Sequence, residues 1–108
     1  MKTELRYASH PKDFRKYDTE KIRKEFLIEK VFAGDEICLV YSMYDRYIVG
    51  GAMPVKKTLA LDTFQELKAG SFLDRRELGM INIGGPAEIS TNEGTYQIGF
   101  KEALYLGK

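Results

Sequence analysis

From residue 26 onward the apolar positions of this chain tend to alternate with polar ones, in short runs rich in β-branched and aromatic side chains. "FLIEKVF" (26–32), "EICLVYSMY" (36–44) and "YIVGGAM" (47–53) are separated by "AGD" and by the "DR" within "YDRY". Runs of this kind bounded by turn residues predict three consecutive, mostly antiparallel strands. "VKKTLAL" (55–61) is a candidate fourth, set off by Pro54, which blocks continuation of the preceding ladder. "DTFQELKAG" (62–70) reads as a helical turn or a loop closed by Gly70. The last third returns to short β patterns: "MINIGG" (80–85), "AEIST" (87–91), "TYQIG" (95–99) and "ALYLG" (103–107), with "NEG" (92–94) as a hairpin turn.

Before residue 26 the pattern is different. Residues 1–17 are polar and interrupted by Pro11, which predicts an extended arm. Asp18 then offers an N-cap to "TEKIRKEF" (19–26), where Ile22 and Phe26 stand one helical turn apart and predict a short helix. The expected organisation is an N-terminal arm and helix over residues 1–26, followed by a β domain over residues 27–108. Many short strands with Gly-rich turns make the fold class all-β, a barrel or sandwich. No internal repeat or low-complexity stretch interrupts it.

Composition narrows the functions available. A chain of 108 residues with 44% hydrophobic residues is one domain at most and can bury a modest core. Its 17 basic and 16 acidic residues leave a net charge of +1, too little to gather nucleic acid or an anionic membrane. The first thirty residues are mildly basic, which suits a solvated polar arm. The single cysteine, Cys38, excludes an internal disulfide. "MKTELRYASHPKDF" is too polar for the apolar stretch of a signal peptide, so the chain reads as cytoplasmic. No apolar run approaches the roughly 20 residues that cross a bilayer.

One spacing stands out in "FLDRRELGMINIGG" (72–85). Cupin barrels carry a first motif with a His-x-His pair, a later Glu and a closing Gly, and a second motif with Pro-x-Gly and a closing His. Alternate strand residues face the barrel interior, so His-x-His aims two imidazoles at one metal. Glu77 and Gly84 fit the end of the first motif, which places the ligand pair at Gly70 and Phe72, or at Ser71 and Leu73. None of these binds zinc. Gly99 and "YLG" (105–107) fit the second motif if Tyr105 replaces its proline, and the closing histidine would fall beyond Lys108. The fold expectation is therefore a partial cupin-like barrel, a double-stranded β-helix or jelly-roll, without its metal ligands. A chain that stops inside a motif reads as a piece of a longer protein.

"EKVF", "YDRYIVGGAMP", "RRELGMINIGG" and "ALYLGK" closely resemble the N-terminal part of the 5-keto-4-deoxyuronate isomerases, or 4-deoxy-L-threo-5-hexosulose-uronate ketol-isomerases. The resemblance runs from the "TEKIRKEF" helix to the last residue and covers less than half of the family's length. It implies a cytoplasmic, zinc-dependent, hexameric enzyme of pectin and uronate breakdown with two cupin halves. Such an enzyme converts 5-keto-4-deoxyuronate into 3-deoxy-D-glycero-2,5-hexodiulosonate. The family's zinc ligands, three histidines and a glutamate, belong to the C-terminal half, and no position here corresponds to them. The implied partners are that C-terminal cupin, other subunits and a sugar acid, with no nucleic acid and no membrane.

A ketol isomerisation needs a base near a carbon and an electrophile on the oxygens, and a uronate needs a cation for its carboxylate. Arg75 and Arg76, with Arg46 third, are the candidates for a carboxylate clamp. Pairing with Asp74, Glu77 or a neighbouring subunit is the competing reading, and adjacent strand residues face opposite sides, so at most one of Arg75 and Arg76 enters a shared pocket. Glu77 is either a relic ligand, a proton shuttle or a structural ion-pair partner. His10 suits a solvated surface position and Cys38 a small buried hydrophobe. Gly50-Gly51 predicts a bulge or a close backbone approach, which in a two-barrel protein suits a place where the halves touch. A non-catalytic β-barrel module for sugar-acid binding or oligomer assembly is the alternative to an isomerase portion. The fragment by itself is expected to be inactive and to self-associate through its open strand edges.

Overall fold

The computed structural model describes all residues, Met1–Lys108, and the chain is all-β with a few short helices. It divides into two compact units, Met1–Leu61 and Asp62–Lys108. The strands form one four-stranded sheet and two two-stranded ribbons, none of them closed into a barrel.

The first unit is organised around one strand. Its elements are β1 (Lys2–Arg6), α1 (Pro11–Phe14), α2 (Thr19–Phe26), β2 (Phe32–Ala33), β3 (Glu36–Ser42) and β4 (Tyr47–Ala52). β3 pairs with all three other strands, antiparallel to β2 and β4 and parallel to β1. It supplies four of the chain's buried apolar side chains, Ile37, Leu39, Val40 and Tyr41. Burial of successive residues means that β3 is covered on both faces, which its unbroken "ICLVY" run requires.

The expected antiparallel order of residues 32–52 is present, and its turns match their residues. Gly34 and Asp35 join β2 to β3, and Asp45 and Arg46, both left-handed with φ of 56° and 52°, join β3 to β4. Asp accepts that conformation readily through its short polar side chain, whereas Arg bears a steric cost of about 1 kcal/mol. Gly50 and Gly51 produce no bulge, since the β3–β4 register runs unbroken from Ile37↔Ala52 to Ser42↔Tyr47. They allow a close approach inside this unit: a Cβ on Gly51 would lie 2.6 Å from the Phe32 ring and 2.7 Å from the Val31 carbonyl oxygen.

Three segments differ from their expected form. The arm is extended over Lys2–Arg6, but it is a strand, in register from Lys2↔Cys38 to Arg6↔Ser42. Parallel pairing needs a long crossover, and the helical segment between β1 and β3 provides it. "FLIEKVF" is not a continuous strand, because Phe26 closes α2 and only Phe32 enters β2. "VKKTLAL" joins no strand. The amides of Val55, Lys56 and Lys57 instead donate to one carboxylate oxygen of Asp35, at 2.8, 2.9 and 3.2 Å. With its N–H groups turned inward to Asp35, the start of this segment has none to offer a ladder.

The two helices are set by their caps. His10 precedes α1, its Nδ1 accepts from the Lys12 amide at 3.0 Å, and Pro11 fills the first helical position. Asp18 accepts from the Lys21 amide at 2.8 Å, and α2 spans Thr19–Phe26 as its sequence predicts. The Phe26 ring meets Phe14 edge-on at 5.9 Å and Tyr44 at 6.1 Å.

The second unit is lighter. A 3-10 turn (Gln65–Leu67) precedes β5 (Leu78–Ile81), β6 (Ala87–Thr91), β7 (Gly94–Ile98) and β8 (Ala103–Leu106). β5 pairs antiparallel with β8, and β6 with β7 around the expected turn at 92–94. Only Leu67, Phe72 and Ile98 are buried apolar residues here. Asn82 joins the two ribbons: its Nδ2 donates to the carbonyls of Gly85 and Ile98 at 2.8 and 3.0 Å, and its Oδ1 accepts from the Gly84 amide at 2.9 Å.

Candidate functional site

The segment that enters β5 carries three of the four candidate residues. Arg75, Arg76 and Glu77 follow a tight turn over residues 71–74, in which Asp74 accepts from both the amide and the hydroxyl of Ser71. Those bonds, the hydroxyl first, hold the Asp74 carboxyl below its ordinary value, and the neighbouring Arg75 charge adds to the effect. Arg75 is exposed, and Arg76 is half-buried and engaged in an interaction of its own.

Glu77 stands two residues before Gly79, and Gly79 faces Tyr105 across the ribbon. Side chains two apart share a face, so Glu77 lies diagonally from Tyr105, within reach of a long side chain. The Tyr105 hydroxyl donates to the Glu77 carboxylate, and this bond is the main reason that the phenol is held above its ordinary value. The Glu77 carboxylate thus has a neutral donor as partner. A hydrogen-bonded carboxylate beside an arginine-bearing turn can accept a proton or bind a hydroxyl group, and Arg75 can offer forked donors to an anion.

Arg46 sits apart in sequence and in role. It occupies the left-handed turn between β3 and β4 in the first unit, is exposed, and makes an interaction of its own. His10 is exposed and caps α1. Cys38 is a free, half-buried residue of β3.

The residues present do not fit a zinc ion. No three His, Cys, Asp or Glu side chains converge, and the positions that would hold a His-x-His pair serve other ends: Phe72 is core, and Ser71 is bonded to Asp74. No helix is long and apolar enough to cross a membrane.

Sequence reasoning missed Tyr105 as the partner of Glu77, and Asp35 as the clamp on residues 55–57. Neither has a local signal. Both depend on residues 20 or more positions apart being brought together.

The chain is similar in sequence to one part of several longer proteins named as ketol-isomerases. It is 58% identical to the 4-deoxy-L-threo-5-hexosulose-uronate ketol-isomerase of Bacteroides fragilis over 99% of its own length and 39% of that protein's. It is 52% identical to ketol-isomerase 1 of Bacteroides thetaiotaomicron, with the same coverage, and 48% identical to the Escherichia coli protein over 97% of this chain. No protein-family model matches. The chain is a homologue of the N-terminal part of these ketol-isomerases and spans about 39% of their length.

Proposed function

We propose that these residues are the N-terminal portion of a zinc-dependent ketol-isomerase, converting 5-keto-4-deoxyuronate into 3-deoxy-D-glycero-2,5-hexodiulosonate in cytoplasmic pectin and uronate degradation. The observation that carries this reading is the 58% identity over nearly the whole chain. The fold completes a cupin-like barrel only together with the C-terminal half, and the assembly is a homo-oligomer, a hexamer as in the family the sequence resembles.

The division of labour follows from the residues. A metal held by ligands outside this chain would supply the electrophilic chemistry. Within it, Arg75 is the exposed cation nearest Glu77 in sequence and suits the substrate carboxylate, with Arg76 and Arg46 as further candidates. Glu77, held by the Tyr105 hydroxyl, suits a substrate hydroxyl or a proton in transit.

The test joins the chain to the C-terminal remainder of the Bacteroides fragilis isomerase. The chimera is expected to hold zinc and turn over the keto-uronate, while the isolated chain does neither. In the chimera, Arg75→Ala should raise KM about tenfold with a smaller change in kcat, as loss of a carboxylate contact does. Stoichiometric zinc or turnover in the isolated chain overturns the proposal. A folded, zinc-loaded but inactive chimera overturns it in favour of a sugar-acid-binding or assembly module.

A further inference from the structure

The two ribbons of the second unit follow different rules. β6 and β7 alternate: Glu88 faces Gln97 and Ser90 faces Thr95 on the outer side, with the Gln97 amide bonded to Glu88 at 2.7 Å. Ile89, Tyr96, Ala87 and Ile98 occupy the other side. This is the ordinary pattern for an antiparallel pair with one face in water.

β5 and β8 do not alternate. "LGMI" and "ALYL" contain no charged residue, and the only side-chain polar atom is the Tyr105 hydroxyl. One face pairs Leu78 with Leu106 and Met80 with Leu104, all half-buried. The other pairs Ile81 with Ala103 and Gly79 with Tyr105, and it is open: Ile81 is 71% exposed and Tyr105 63%. Ile83 and Phe100, in the segments extending the ribbon, are exposed as well. Strands that are apolar on both faces belong between two layers. One layer is missing here. Each strand also has one edge with no partner in the sheet.

Resting on the isomerase reading, we infer that the Ile81–Tyr105 face of the β5–β8 ribbon is the docking surface for an apolar β layer of the C-terminal remainder. More than half of each curated relative lies outside the matched region, so a partner of sufficient size exists in those proteins. The continuous apolar pattern states what its contact face must be: a sheet face without charges, able to accommodate the Tyr105–Glu77 hydrogen bond at its rim. A second copy of the same ribbon meets the apolar requirement only while that layer is absent.

The test compares the isolated chain with the chimera. Ile81→Asp should leave the melting temperature of the isolated chain unchanged, because Ile81 is largely in water there, and should lower that of the chimera, where the charge is buried. Phe100→Asp should behave likewise, and Tyr7→Asp, exposed in the first unit, should change neither. Amides of β5 and β8 should exchange about tenfold or more slowly in the chimera than in the isolated chain. Equal effects of Ile81→Asp in both proteins overturn the inference, as does unchanged exchange or a chimera without a cooperative transition. A homodimer through this ribbon that persists in the chimera assigns the face to a second copy instead. A chimera that protects the ribbon and remains inactive upholds the docking surface while removing the isomerase reading.

Discussion

The sheet around β3 and the β5–β8 ribbon are both apolar strand structures, and they differ in what covers them. β3 has unbroken hydrophobic sequence and is buried, paired with three strands and carrying Ile37, Leu39, Val40 and Tyr41 into a core. β5 and β8 have equally unbroken apolar sequence, yet one of their faces lies in water. Continuous apolar pattern therefore specifies a covered strand, but not whether the same 108 residues supply the cover. Where they do, a self-sufficient sheet results. Where they do not, an apolar face stays in water.

The largest effect expected from this contrast is in the sheet. Leu39→Ala should destabilise the chain by about 3 kcal/mol, measured by urea unfolding, because it leaves a cavity in a strand packed on both faces. A cost below about 1 kcal/mol would mean that β3 is not the core it resembles.

Asn82→Ala comes next. It removes one hydrogen bond that ties the end of β5 to Ile98 of β7 and two that shape the 82–85 turn, and should cost about 2 kcal/mol. In this unit a polar side chain substitutes for the core that β3 provides in the other. If Asn82→Ala melts like the parent chain, the few apolar contacts are sufficient without it.

Asp35 sharpens the comparison through pH. The three backbone amides that hold its carboxylate lower its folded-state value below the ordinary 3.8, Val55 first. The stability it contributes is present above pH 3.8 and disappears as pH falls through the lowered folded value. The melting temperature of Asp35→Asn should therefore depend less on pH in that acid range than that of the parent chain. Asp74, lowered chiefly by Ser71, titrates in the same direction and should account for part of what remains. Identical acid profiles for parent and variant would show that the clamp does not couple to folding.

Tyr105 gives a smaller and opposite signal. Its phenol is raised above 10.0 by the bond to Glu77, so that contribution is complete below the unfolded value and is lost as pH rises through the folded one. Glu77→Gln should bring the ionisation of one of the seven tyrosines to lower pH in an ultraviolet titration. An unaltered titration curve would remove Glu77 as the partner of Tyr105. The smallest expected change in stability is that of Ile81→Asp in the isolated chain, near zero. Its effect should appear in association: the parent chain should self-associate at high concentration in sedimentation, and the variant should do so less.

Local features were legible in the sequence. Asp18 and the Ile22/Phe26 spacing defined α2 to the residue, and "NEG" located the β6–β7 hairpin, because caps and tight turns are settled by a few adjacent side chains. The strand run 36–44 also appeared within two residues of β3 at its C-terminal end, and the missing His-x-His could be read directly. The candidate site was legible only in part. Glu77 stood out by its spacing to Gly84, and Arg75, Arg76 and Arg46 by the chemistry of their side chains, but the pairing of Tyr105 with Glu77 had no local signal.

The alternation of apolar and polar residues by itself determined that this chain is all-β, and its local signals determined where α2 starts and which turn joins β6 to β7. Only the tertiary structure decided that the polar segment Lys2–Arg6 pairs in parallel with β3, that residues 55–57 turn their amides to Asp35, and that Tyr105 bonds to Glu77. Each of these joins groups distant in the chain. Nothing in the neighbouring residues records which distant partner a backbone amide or a phenol will find.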